Sequence, residues 1–410
     1  MPSAQIATGL DVGSTKVVAL IAEVTEHGEL RVLGIGESPS SGLRQGNLVH
    51  LEATAEAVRT ALARAEKMAD LSVRDVTVGI AGDHLRSINS RGVIAVSGRD
   101  NEVTPDDLRR VVEAARALAI PSSRAVLHVI PQEFLVDDQS GIKDPVGMAG
   151  VRLEAEVHII TASATAVRNL ERSIEKAGYR AAQVIAVPLA SAWAVLEEDE
   201  RRLGVILLDV GAGTTDLAVY FDGSVHHTAV ISMGGAQITN DIAIGLRTPL
   251  EAAERIKIEY GCALSSLVER DAALEIPGVG GRAPRAIRLN VLAAIIEPRV
   301  EEILTQARTE VGRLQGHDFL AAGIVVTGGT AGLRGMVEAA ERVFEMPARA
   351  GLPRGVSGLA QAAHDPRYAT ALGLAMAAAP RRRRFAGETA GVPQGSRLRE
   401  WLRARVPFLG

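Results

Sequence analysis

Runs of alternating or continuous Val, Ile and Leu predict strands over about 5–11, 16–23 and 30–36, joined by turn residues such as His27-Gly28. Apolar residues then recur at helical spacing (Ala55, Val58, Leu62, Ala65), which predicts a helix over about 51–69, and Val76 to Ile80 reads as a further strand. A similar order returns later, with strands at about 205–209, 214–221 and 224–232 and helices from about Ala236. The repeat predicts an α/β protein built from two related halves. Between them, Gly82 to Ala162 has a different character. Short strands (Leu85 to Asn89, Val93 to Ser97) precede a helix whose start is marked by Thr104 as N-cap, Pro105 in the first turn, and Asp106 and Asp107 beside the dipole. Strands at Val126 to Ile130, Glu133 to Asp137 and Leu153 to Thr161 follow, the last two separated by the loop Ile142 to Met148. This pattern predicts a small α+β domain inserted into the first half.

Composition adds little to this outline except at the C-terminus. The chain has 410 residues, 47% of them hydrophobic, yet only six Phe, four Tyr and two Trp, so its cores must be aliphatic. One cysteine, Cys262, excludes an internal disulfide and favours a reducing compartment. No leader pattern opens the chain and no apolar run is long enough to cross a bilayer, so a cytoplasmic location is expected. From Arg381 onward there are eight Arg and two Glu, about +6, which leaves about −10 of the net −4 on the body. A basic tail on an acidic body expects an acidic surface as partner.

The candidate chemistry lies in three glycine motifs. Gly9-Leu10-Asp11-Val12-Gly13-Ser14-Thr15-Lys16 and Leu208-Asp209-Val210-Gly211-Ala212-Gly213-Thr214-Thr215-Asp216 share an Asp-Val-Gly turn, a hydroxyl pair and apolar flanks. Such a hairpin turn points backbone N–H groups at an anion. Two of them suggest related halves gripping one nucleotide from opposite sides. The third motif, Ile324 to Thr330, is a buried strand ending in Gly328-Gly329, followed by a helix over about 333–344. Glycines there allow close approach to a flat ligand.

Together these motifs resemble the actin/Hsp70/sugar-kinase superfamily, in which two ribonuclease-H-like halves close on ATP and Mg²⁺. Within it, the chain from Gly9 to about Ala379 is similar to the FtsA family of bacterial cell-division proteins. Lys143 to Met148, Leu196 to Glu200, Thr248 to Lys257 and Tyr368 to Leu374 carry that likeness. The resemblance implies a first actin-like half over 1–82 and 163–195, an inserted domain over 83–162, a second half over 196–246 and 321–380, and an extra subdomain over 247–320. It further implies that Asp11 and Asp209 hold Mg²⁺ through water. Gly13, Ser14, Thr15, Lys16, Gly211, Gly213, Thr214 and Thr215 would take the phosphates, and Glu254, Lys257, Gly328, Gly329 and Leu333 the adenosine. Related proteins place a Gln or Glu ahead of a Pro-Leu-Ala helix start to orient water. Here Val187 precedes Pro188-Leu189-Ala190, so slow hydrolysis at most is expected. No catalytic residue is assigned.

Beyond Pro380, residues 381–395 form a basic linker with too little apolar surface to fold. Over 396–410, Leu398, Trp401, Leu402 and Val406 share one arc of a helical projection, flanked by Arg403 and other arginines, with Phe408 beyond Pro407. A basic face, Trp on the apolar side and a tether mark an interfacial membrane helix. The family likeness implies the same targeting, together with self-assembly into filaments and contacts of the inserted domain with other division proteins. It also implies binding of the FtsZ C-terminal tail, for which Arg299, beside a helix start expected near Ile296, is a candidate. Nucleic acid is not an expected partner. The alternatives are a pilus-assembly actin-like scaffold, which would not need the Trp401 helix, and a sugar-kinase-type phosphotransferase, for which no catalytic Asp stands out.

Overall fold

The computed structural model describes residues 5–25, 29–117, 120–269, 272–314, 320–359 and 365–379. Strands β1 (Gln5–Val12), β2 (Lys16–Val24) and β3 (Leu30–Pro39) form an antiparallel meander. β2 is buried from Val17 to Ala22, as a strand covered on both faces must be, whereas β3 alternates buried and more accessible positions. A short hairpin, β4 (Leu43–Arg44) and β5 (Asn47–Leu48), leads to helix α1 (Leu51–Ala69). Ala61 and Ala65 of α1 press on β3 where it carries glycine. A Cβ on Gly34 would stand 2.2 Å from the Ala65 carbonyl oxygen, and one on Gly36 1.9 Å from that of Ala61. Strand β6 (Asp75–Ile80) then pairs parallel with the middle of β1.

The inserted domain follows as β7 (Arg86–Ala95), α2 (Pro105–Arg116), β8 (Arg124–Val136), β9 (Gln139–Ile142) and β10 (Arg152–Ser163), with sheet order β7-β10-β8-β9. Its own core includes Val111, Phe134 and Ile159. Thr104 and Asp107 form the capping box that starts α2. The two strands expected at 126–130 and 133–137 are one strand. Pro131 lies opposite Val157 and Glu133 opposite Glu156, so Gln132 is a bulge that absorbs the break. Helix α3 (Ala164–Ala177), strand β11 (Arg180–Ala186), and helices α4 (Val187–Val195) and α5 (Glu198–Leu203) lead onward, β11 extending the first sheet beside β6.

The second half repeats the meander with β12 (Val205–Val210), β13 (Thr215–Phe221) and β14 (Ser224–Ile231). After α6 (Gly235–Gly245) and α7 (Leu250–Tyr260), the pair β15 (Ala273–Ile276) and β16 (Arg285–Arg288) precedes α8 (Leu289–Val311). The helix start expected near Ile296 is therefore seven residues late, and Pro298 lies inside α8. Strand β17 (Ile324–Thr327), helix α9 (Met336–Phe344) and strand β18 (Ala348–Ala350) complete a sheet of order β14-β13-β12-β17-β18.

The stretch 321–380, expected in the second half, is divided. Strand β19 (Val356–Gly358) pairs parallel with β3, and helix α10 (Ala369–Ala378) packs on β1 and α4, both in the first half. The contact is close enough to demand glycine. A Cβ on Gly373 would stand 1.7 Å from the Ala190 carbonyl oxygen, and one on Gly9 2.0 Å from that of Ala371.

The inserted domain also reaches the second half. β14 is an edge strand, and insert side chains cover its carbonyls: Ser87 Oγ donates to Thr228 at 2.8 Å, Asn89 Nδ2 to His226 at 3.1 Å and Gln132 Nε2 to Val225 at 2.9 Å. His158, buried beneath them, bonds Asn89 Oδ1 at 2.6 Å and Thr228 Oγ1 at 3.1 Å. Burial drives its imidazole pKa down to about 3, so it is neutral there.

Candidate functional site

The β1–β2 and β12–β13 turns are closed by the same backbone bond, Gly13 N–H to the Lys16 carbonyl at 3.0 Å and Gly211 N–H to the Thr214 carbonyl at 2.9 Å. They face each other across a cleft. A Cβ on Gly213 would stand 2.3 Å from Ser14 Oγ, so only glycine lets the second turn approach the first. The third motif joins them. Gly328 has φ +89, a Cβ there would meet Asp209 Oδ1 at 2.3 Å, and Thr330 Oγ1 donates to the Gly211 carbonyl at 2.9 Å.

Three carboxyls line this junction. Burial, then the neighbouring Asp209, raises the Asp11 pKa to about 7, against a lowering pull from Lys16. Burial also raises Asp209, although its Oδ2 accepts from Ser191 Oγ and, at 2.9 Å, from Thr370 Oγ1. Asp216 is pushed well above the ordinary carboxyl range by burial and by Asp209. Its Oδ2 accepts from Thr214 Oγ1 at 2.9 Å, and its buried Oδ1 has no hydrogen-bond partner among the described residues. A buried orphan oxygen among crowded acids fits a site made for a cation. Among the described residues no three His, Cys, Asp or Glu side chains converge closely enough to ligate a metal directly.

Other expected contacts are rearranged. Lys16 Nζ lies 3.4 Å from Glu37 and 5.1 Å from the Tyr368 ring centroid, so the ammonium is held by neighbours on β3 and before α10. Thr15 is exposed. Thr215 Oγ1 donates to the Met233 carbonyl at 2.8 Å and Thr214 Oγ1 to Asp216, which leaves backbone N–H groups as the anion donors of the second turn. Lys257 spends all three ammonium protons internally, on Gly235 O (3.0 Å), Thr239 Oγ1 (2.8 Å) and Glu254 Oε2 (2.8 Å). It braces α6 against α7 and lies beside Thr330, on the wall formed with Gly328 and Gly329. Leu333 packs toward Gly261.

Arg299 is part-exposed and already has acidic neighbours within the chain. Its guanidinium bonds Asp241 at 2.6 and 3.2 Å and pairs with Glu302, so α6 and α8 already neutralise it. Leu398, Trp401, Leu402, Arg403, Val406 and Phe408 lie outside the described residues. The sequence alone did not nominate Asp216, Ser191, Thr370 or Tyr368. Asp216 had a signal, since it closes the second motif. Ser191 comes from α4, 18 positions before Asp209, and Thr370 and Tyr368 are brought in by tertiary contacts more than a hundred positions away in chain order.

A family model described as "Cell division protein FtsA" matches residues 206–373, and a model of the "SHS2 domain inserted in FTSA" matches residues 82–161. A Pseudomonas aeruginosa cell division protein FtsA is 46% identical over 374 residues, covering 91% of this chain and 89% of the relative. The chain belongs to the FtsA family of cell division proteins. FtsA relatives from Escherichia coli (41% identical, 90% and 89% covered) and Bacillus subtilis (37%, 91% and 83%) match along the same length. FtsA membership agrees with the architecture. A PilM–PilN type IV pilus biogenesis complex superposes with TM-score 0.66 at 18% identity, over 91% of this chain and 98% of the other. MreB5 of Spiroplasma citri bound to ADP superposes with TM-score 0.56 at 14% identity, over 91% and 95%. These structures show that the FtsA fold here is actin-like.

Proposed function

We propose that the chain binds ATP with Mg²⁺ between its halves and, polymerised on the cytoplasmic face of the membrane, tethers FtsZ filaments at the division septum. The observation that carries the nucleotide reading is the pair of turns, each closed by the equivalent backbone bond, facing each other with Gly328-Gly329 alongside. The actin-like MreB5 structures, bound to ADP and to AMPPNP, support it. Backbone N–H groups of Gly13 to Lys16 and Gly211 to Thr215 would hold the phosphates, and the wall of Glu254, Lys257, Gly328, Gly329 and Leu333 the adenosine. Asp11 and Asp209, joined by Asp216, would hold the hydrated Mg²⁺, which when bound neutralises phosphate charge.

Turnover would be slow, because Val187 is apolar and buried where a water-orienting group would stand. ATP would then act as an assembly switch more than as a fuel. Among the described residues no helix is long and apolar enough to cross a membrane, so attachment would fall to the segment around Trp401. FtsZ docking would fall to the 247–320 subdomain, with Arg299 the candidate contact, where an acidic tail would compete with Asp241 and Glu302. Division proteins would meet the inserted domain. The test is co-sedimentation of FtsZ with anionic liposomes in ATP and Mg²⁺. The full chain should carry FtsZ down and a chain ending at Gly395 should not. FtsZ left in the supernatant by lipid-bound full chain would sink the tether.

A further inference from the structure

We infer that Gln45 is a positioning residue that latches the cleft shut at its phosphate end. This inference rests on the nucleotide reading above. Gln45 and Gly46 are the two central residues of the β4–β5 hairpin, in which Arg44 pairs with Asn47. Both have positive φ, +50 and +76. Two consecutive left-handed residues define a type I′ turn, for which Asn-Gly or Asp-Gly is the preferred pair, because a short polar side chain tolerates that conformation. Glutamine is a poor choice for the turn. What it adds over asparagine is one methylene of reach.

That reach crosses the cleft. Gln45 Nε2 donates to the Ser232 carbonyl at 3.0 Å. The hairpin itself belongs to the first half: Gly46 N–H donates to Ser14 Oγ at 3.1 Å, and Asn47 Nδ2 donates to Asp83 Oδ1 at 3.0 Å at the root of the inserted domain. Ser232 belongs to the segment that backs the second phosphate turn. The next carbonyl, of Met233, accepts from Thr215, and Gly235 N–H donates to the Gly211 carbonyl at 2.9 Å. A Cβ on Gly213 would stand 3.2 Å from the Gln45 Cα. The one amide therefore links the first phosphate turn, through Ser14 and Gly46, to the second, through Ser232 and Gly235. Nucleotide leaving by the phosphate end must break that link. The left-handed backbone at Gln45 is conformational strain placed at a functional contact.

Gln45→Asn separates reach from turn. It suits the type I′ turn at least as well, which offsets the lost bond, so the nucleotide-free chain should still fold and melt within a few degrees of wild type. Without the cross-cleft bond, stopped-flow release of a fluorescent ATP analogue should speed up about five-fold, the factor carried by one net hydrogen bond. Amide hydrogen exchange over 232–236 in the nucleotide-free chain should also accelerate, while exchange in α1 stays unchanged. Wild-type release and wild-type exchange in Gln45→Asn would overturn the latch. A wild-type chain that binds no nucleotide would instead remove the ATP reading, and the exchange comparison would still decide whether Gln45 holds the halves together.

Discussion

At the scale of single residues, the carboxyl of Asp11 offers a direct handle on the site. Its pKa is raised to about 7 in the folded chain, against an unfolded value near 4, so the native state holds a proton there that the unfolded state releases. Stability without ligand should therefore fall as pH rises through that window. Asp11→Asn should flatten the fall by at most about 1.4 kcal/mol per pH unit, measured by urea unfolding of the nucleotide-free chain between pH 5 and 7. A variant with an unaltered slope would show that Asp11 is ionised throughout. Residue types at the turns were legible, glycine at 213 and 328 because the backbone demands it and Asp11 and Asp209 because both open the repeated Asp-Val-Gly pattern. Side-chain direction was not. Lys16, Thr215, Lys257 and Arg299 are turned toward Glu37, Met233, Gly235 and Asp241, partners that no local spacing announces.

At the scale of elements, the two meanders, α1 and the capped α2 follow directly from periodicity and cap chemistry, because their signals are local. The failures share a different cause. Two strands were expected on either side of Pro131 and a helix start near Ile296, yet β8 bends through a bulge and α8 begins at Leu289 and takes Pro298 inside, since packing on both sides holds each element together. The destination of α10 was equally hidden, because an all-apolar helix without a polar face does not show which sheet it will cover. Its contact with α4 gives a sharp prediction. Gly373→Ala places a methyl 1.7 Å from the Ala190 carbonyl oxygen and should cost about 1–3 kcal/mol by overpacking, read as a lowered Tm in calorimetry. An unchanged Tm would mean that the helix can slide away from α4 at no cost.

At the scale of the whole molecule, the halves meet at the cleft, where α4 packs on β12 and β13, and at the cover that the inserted domain lays over β14. Asn89 belongs to that cover, donating through Nδ2 to the His226 carbonyl and accepting from the His158 Nδ1–H through its Oδ1. Asn89→Ala should leave His158 with one partner fewer and loosen the edge. Faster hydrogen exchange over 224–231, with that in β12 unchanged, is the expected result. Equal exchange in the variant would make the cover incidental. The return of β19 and α10 to the first sheet has a temporal consequence. At about 5–20 residues per second of synthesis, β1 emerges from the ribosome tens of seconds before the strand and helix that finish its sheet and cover it. The earliest part of the polypeptide to be made is thus among the last to be completed. Until then its aliphatic faces depend on the cell's holding chaperones, and a nascent chain stalled before residue 356 is a candidate for aggregation rather than a smaller working protein.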